Sequence, residues 1–322
     1  MRPNLHRIPP EILITAGTLA VMFFFSVVYS LPIVVPSGGH AAFVGVHYIY
    51  PLIGVAILGI ITFLAGRREV ATGFLLALPC YMVILFAHFN LKLWIPHINP
   101  RSYDEFYWKT DEMVRPVVDM CFYIREKILF FIPYEANFYM LAFIALFYTS
   151  FMYHAMKTPE YFRTLVISVL LLQAFGAVAY LVAPAAGPFI YEKGVDPTIT
   201  GGQQYMLDFY RNSIAQGPAW IASEGSVNFT AGLAAMPSLH AAGAFLFFLF
   251  AWKHGRALLP LYSFILFFIL VTSVATRWHY VIDVPIGLAL AWVCLWVAQK
   301  ICEPSERGTE REPEPAAVPL PV

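Results

Sequence analysis

Long apolar runs decide what this chain can become. Eight segments, at approximately 12–31, 42–65, 70–90, 136–156, 162–182, 237–252, 258–276 and 279–299, are apolar and bounded by charge, Pro or Gly. A helix needs roughly 20 such residues to cross the hydrocarbon core of a bilayer. The expected fold is therefore all-α, a polytopic membrane helix bundle of about eight transmembrane helices with additional interfacial amphipathic helices. Composition agrees: of 322 residues, 59% are hydrophobic and 12% charged, against roughly 25% charged in soluble domains. Lys+Arg and Asp+Glu stand at 20 each, so no basic footprint for nucleic acid exists. Cys80, Cys121, Cys294 and Cys302 show no close pairing and read as packing residues rather than a disulfide framework.

The organisation follows from where polar residues interrupt the runs. Residues 1–90 read as N-terminal transmembrane helices, with the first run kept as an uncleaved span because it lacks a small-residue exit. Residues 91–135 are too apolar for a solvated loop. They read as one or two amphipathic helices lying in the interface, with Trp94 and Trp108 at headgroup depth. Their carboxylates, Asp104 and Asp111 among them, read as a solvated face. Residues 136–302 read as a catalytic transmembrane core, and 303–322, with five Pro and five Glu, as a disordered cytoplasmic tail. Arg2, Arg7, Arg67, Arg68, Lys157, Arg163, Lys253 and Arg256 gather at one side. The basic excess places both termini in the cytoplasm and the 91–135 and 183–236 connections at the periplasmic, extracellular or lumenal face.

Ionisable side chains inside spans are expensive and mark function. Met236-Pro237-Ser238-Leu239-His240 opens the sixth run with a Ser and a His in its first turn. Arg277-Trp278-His279-Tyr280-Val281-Ile282-Asp283 opens the eighth, with His279 and Asp283 four apart and expected on one helix face. An Asp behind a His fixes its tautomer and stabilises the imidazolium, which frees the other nitrogen as base or nucleophile. A second His can protonate a leaving group. The helix N-terminus and Arg277 suit a phosphate oxyanion. His279 with Asp283 could instead bind a metal, but only His240 accompanies them and no Cys or Glu does, so no metal and no cofactor are expected. His40, His47, His88, His97 and His154 stand alone near helix ends and receive no role.

These segments resemble the signatures of the type 2 phosphatidic acid phosphatase superfamily, P-S-x-H followed by H-x-x-x-D. Ala234-Ala-Met-Pro-Ser-Leu-His240 and Arg277-Trp-His-Tyr-Val-Ile-Asp-Val284 look most like its inositol phosphorylceramide synthase branch, and the second stretch is also similar to sphingomyelin synthases. The resemblance implies His279 as nucleophile, Asp283 as its orienting carboxylate and His240 as general acid, with Ser238 and Arg277 contacting phosphate. Thr272-Ser273 stands where the superfamily has Ser-Arg, and the first signature, K-x6-R-P, is missing. Lys109 to Arg115-Pro116 comes within one residue of it but two helices too early. Ala183-Pro-Ala-Ala-Gly187-Pro188 resembles the Gly-Pro segment of the synthase branch, with Lys193 and Arg211 following as headgroup ligands.

The resemblance implies a lipid phosphotransferase, with a phospholipid donor, a lipid hydroxyl acceptor, phosphoinositol as headgroup and a phosphohistidine between. The alternative from the same residues is a lipid phosphate or polyprenyl diphosphate phosphatase with water as acceptor. Leu239, where the superfamily's phosphatases more often carry Gly, and the Gly187-Pro188 segment separate the two. A transporter or lipid-binding protein without turnover is the reading from another class. The partners are the membrane and its lipids; no nucleic acid is expected and no protein partner is indicated.

Overall fold

A computed structural model describes residues 8–37, 53–54, 56–132, 135–193 and 197–306. The described residues are helical throughout the regular structure and contain no strand. In chain order the helices are α1 (Pro10–Val28), α2 (56–64), α3 (Arg68–Ile98), α4 (Asp104–Met113), α5 (Arg115–Phe131), α6 (Glu135–Lys157), α7 (Pro159–Val182), α8 (Pro197–Gln216), α9 (Pro218–Glu224), α10 (Leu239–His254), α11 (Leu259–Ala275) and α12 (Asp283–Glu306). Six are long and apolar enough to cross a membrane, over Pro10–Val28, Val70–Ile98, Phe138–Lys157, Pro159–Val182, Arg256–Ala275 and Asp283–Cys302. Apolar side chains exposed on α1, α11 and α12, such as Phe24, Phe264, Phe267, Trp292 and Trp296, are what lipid would cover. The chain is an integral membrane protein.

Half of the second expected span, 42–65, lies outside the described residues, its described part being chiefly α2, and the tail beyond Glu306 lies outside them as well. α12 continues past Cys302 to Glu306. The sixth expected span is α10, with 16 residues. At 1.5 Å per residue it is about 24 Å long, short of the roughly 30 Å of hydrocarbon. It compensates by being a core helix: Ala241, Ala242, Ala244, Leu246, Phe247, Phe250 and Ala251 are all buried.

The third expected span stops too early at residue 90. α3 runs on to Ile98 because Asn90, which looks like a terminator, is satisfied inside the bundle. Its Oδ1 accepts the Val34 N–H at 2.8 Å and its Nδ2 donates to the Val34 and Phe86 carbonyls. Trp94 is then fully buried within the protein, with Nε1 donating to the Pro32 carbonyl. The 91–135 connection is thus α4 and α5 after a longer α3. α5 buries Val118 and Cys121 against Val271, Val274 and Ala275 of α11. All four cysteines are free and buried.

α7 is the central post, in contact with α1, α3, α6, α10 and α12. Its side chains are buried on nearly every face, from Phe162 to Leu181, as expected for a helix apolar all round. Glu11 of α1, 3% exposed, is held at one end by Arg163 of α7 through two contacts of 2.8 and 3.0 Å. At the other end Leu239 settles on Gly176, where a Cβ would stand 2.6 Å from the leucine side chain. Gly287 performs a closer fit, since a Cβ there would lie 2.4 Å from the Ser238 carbonyl oxygen. That contact lets α12 press against the start of α10. Replacing Gly287 by Ala should destabilise the protein by about 1–3 kcal/mol. Thermal unfolding in detergent would show it, and an unshifted midpoint would mean that α12 does not bear on Ser238.

Candidate functional site

Three loops meet at the head of α10: 183–190 after α7, 231–238 before α10, and 276–282 between α11 and α12. Backbone groups at this depth must find partners inside the protein, and they find each other. Ala235 N–H donates to Ala185 O at 2.9 Å, Phe189 N–H to Arg277 O at 3.1 Å, and Ser238 N–H to Asp283 O at 3.1 Å. Gly187 has φ of 130°, and a Cβ on it would lie 2.8 Å from the Trp278 carbonyl oxygen. Only glycine suits both the backbone and the approach.

His279 does not share a helix with Asp283 as the spacing suggests. It sits in the turn before α12, where Arg277 takes a left-handed backbone with φ of 59° and the His279 N–H reaches back to Ser273 O. The turn still brings the pair together, with His279 Nδ1 3.4 Å from Asp283 Oδ2. The shorter contact is to backbone: Nδ1 lies 2.7 Å from the Ala235 carbonyl oxygen. A carbonyl only accepts, so Nδ1 carries a proton, and in the neutral imidazole Nε2 keeps the lone pair. Asp283 Oδ2 also accepts the Tyr280 N–H at 2.8 Å, which orients the carboxylate. Asp283 is fully buried, and His279 is 8% exposed.

His240 is the second residue of α10, half-buried, its ring edge-on to Phe143 and Tyr139 at 4.8 and 5.4 Å between centroids. Its electrostatic neighbours are His279, Lys92 and His88. Ser238 caps α10 without a side-chain cap bond, and its Oγ is buried with no partner. The first intrahelical bond is Ala242 N–H to Ser238 O, so the N–H groups of Leu239, His240 and Ala241 are left to the site. Leu239 packs on Gly176 and is partly buried between two core clusters, a structural position that does not separate transfer from hydrolysis.

Two carboxylates reach the site from α4 and correct the reading of a solvated face. Asp104 is 3% and Asp111 1% exposed. Asp104 accepts from Tyr280 OH at 2.8 Å, Ser102 OH at 2.7 Å, and the N–H groups of Ala186 and Gly187 at 2.9 Å each. The Gly187 N–H is therefore engaged and not free for a phosphate. Asp111 accepts the Val281 N–H at 2.8 Å and Arg277 Nη2 at 2.9 Å. Burial pushes the Asp111 carboxyl up, against the pull of the Val281 N–H and Arg277. Burial, then the Asp104 charge, pushes the Tyr280 phenol up, which keeps it a donor.

Arg277 is fully buried and already paired: besides Asp111, its Nε lies 3.1 Å from Glu192 Oε2. Glu192 is shared with Arg115, which grips it at 2.8 and 3.1 Å and holds Asp119 at 2.8 Å. The Arg277 guanidinium also lies 5.5 Å from the Trp108 ring centroid, and its Nη1 has no partner. The expected phosphate fork is mostly spent on structure. Lys109 is exposed and pairs with Glu105, away from the site. Lys193 and Arg211 are exposed and line, with Phe189, Thr200 and Gln203, a cavity of about 190 Å³. Gln203 Nε2 donates to Thr276 O at 2.8 Å, so this cavity backs onto the 276–282 turn, and His279 is not among its lining residues.

Asp104, Tyr107 and Asp111 were legible as a set, since spacings of three and four put them on one helix face. Replacing Asp111 by Ala would leave the Arg277 charge buried against Glu192 alone and the Val281 N–H unpaired. A loss of about 3–5 kcal/mol is expected. Chemical or thermal denaturation of the full chain measures it, and parental stability would contradict the ion pair.

Comparison with protein families matches residues 124–297 to the family described as the PAP2 superfamily. The match spans α10, α11 and most of α12, with both histidine segments, and begins after α4. No curated protein and no solved structure matches the chain.

Proposed function

The chain belongs to the PAP2 superfamily, whose chemistry is lipid phosphate hydrolysis or transfer, and on that premise we propose that it moves a phospho-headgroup from a phospholipid to a lipid hydroxyl. The observation that carries the reading is the 2.7 Å bond from His279 Nδ1 to Ala235 O with Asp283 behind it. With Nδ1 engaged, Nε2 is left to act as the nucleophile at the head of α10.

In the first step Nε2 attacks phosphorus. An N–P bond forms, the bond from phosphorus to the diacylglycerol oxygen breaks, and His240 gives that oxygen a proton. The developing imidazolium is stabilised by Asp283 at 3.4 Å. In the second step His240, now basic, takes the proton of an acceptor hydroxyl whose oxygen displaces Nε2 from phosphorus. The α10 N-terminus and the Ser238 Oγ, which has no partner, supply donors to the phosphoryl oxygens. Transfer to a lipid rather than to water is supported by the enclosure of His279, 8% exposed, because a covered intermediate is shielded from hydrolysis. The likeness of the two motifs to the inositol phosphorylceramide synthase branch makes phosphoinositol the headgroup and a ceramide-like lipid the acceptor. The basic rim supports cytoplasmic termini and a site at the opposite face.

Purified protein given headgroup-labelled phosphatidylinositol, with and without ceramide, tests this. Labelled lipid product only in the presence of ceramide is expected, whereas release of soluble phosphoinositol without it assigns the acceptor role to water. His279→Ala should lower turnover by about 10⁴-fold or more, and unchanged turnover would remove His279 from the chemistry. Activity should persist in EDTA. Loss restored by a divalent ion would contradict metal-free transfer.

A further inference from the structure

α3 carries two ionisable side chains one turn apart, His88 and Lys92, within its apolar span. His88 is anchored: its Nδ1 lies 3.1 Å from the Gln173 carbonyl oxygen, and its ring packs edge-on against Phe89 and Tyr180. Lys92 has no such anchor. Among the described residues no carboxylate pairs with it, and its Nζ lies 5.9 Å from the Tyr180 ring centroid, a weak attraction. An ammonium in a membrane-spanning helix without a counter-charge is costly and is retained where an anion visits it.

The position of Lys92 says which anion. Gly232, in the loop that leads to Pro237 and Ser238, lies so close that a Cβ there would stand 2.8 Å from the Lys92 backbone carbonyl and 3.0 Å from its Cγ. Lys92 is also an electrostatic neighbour of His240. Arg277, the other cation at the site, is matched by Asp111 and Glu192, and Glu192 is matched in turn by Arg115. That leaves Lys92 as a cation near His240 whose charge no carboxylate among the described residues offsets.

We propose that Lys92 is a ligand for the phosphate group of the lipid substrate, reaching it from α3 while the α10 N-terminus holds it from the opposite element. The assignment rests on the phosphoryl-transfer reading of His279 and His240. An ammonium contributes a point charge rather than a fork, so it tolerates a phosphate monoester or diester and leaves the headgroup to be chosen elsewhere.

Binding of inorganic phosphate and of dihexanoyl phosphatidic acid to the full chain in detergent, read by thermal shift, tests the proposal without turnover. Dihexanoylglycerol, which lacks the phosphate, is the control. Lys92→Met should weaken both phosphate ligands by about tenfold or more, the effect of losing a charged hydrogen bond, while Lys92→Arg stays near the parent and dihexanoylglycerol is unaffected. Equal affinity in Lys92→Met overturns the proposal, as does an effect on inorganic phosphate that dihexanoyl phosphatidic acid does not share. Should Lys92→Met not fold, Lys92→Gln is read by the same criteria. A parent that transfers no headgroup yet binds phosphate through Lys92 would refute the proposed reaction and keep this site. A parent that transfers normally while Lys92→Met binds and turns over like it would do the reverse.

Discussion

The structure around His279 depends on two carboxylates that α4 pushes into the bundle. Asp104 gathers four donors from three different segments, and Asp111 closes on Arg277 and Val281. Where water is scarce, an ionised carboxylate is costly unless its oxygens are filled. Filling them forces the 183–190 and 276–282 loops into one arrangement. The left-handed Arg277 is held there because its guanidinium is gripped by Asp111 and Glu192. Strain at that residue is thus offset by charge pairing two residues before His279.

From this arrangement the histidine chemistry follows. The turn presents His279 to the Ala235 carbonyl, and Ala235 is itself fixed by its N–H bond to Ala185. The tautomer of His279 is therefore set by backbone, with Asp283 behind it. α12 can deliver Asp283 to this point because Gly287 admits the Ser238 carbonyl, and the same contact holds the start of α10. One crossing of two helices positions Asp283, the α10 N-terminus and His240 together.

The sequence made legible what depends on local chemistry. Apolar runs marked the long helices, and the scarcity of polar residues within them singled out His240, His279 and Asp283. It misled where a polar residue is satisfied by tertiary contact. Asn90 and Lys92 look like the end of a span, yet Asn90 is bonded to Val34 within the bundle. Asp104 and Asp111 look like solvent-facing charges until Tyr107 between them is seen to share their buried face. Arg277 looked like a free phosphate ligand because its partners, Asp111 and Glu192, are far away in the chain. Pairings across 166 residues, as between Arg277 and Asp111, leave no local trace.

The central claim is that phosphorus passes through His279 Nε2. The most direct measurement is a rapid quench of the full-length protein with donor lipid labelled in its headgroup phosphate, followed by peptide mapping under alkaline conditions that spare an N–P bond. The account predicts label on the peptide bearing His279, lost on mild acid treatment and discharged by adding the lipid acceptor before the quench. Label on His240 or on another residue, or turnover with no labelled peptide at any time, would contradict it.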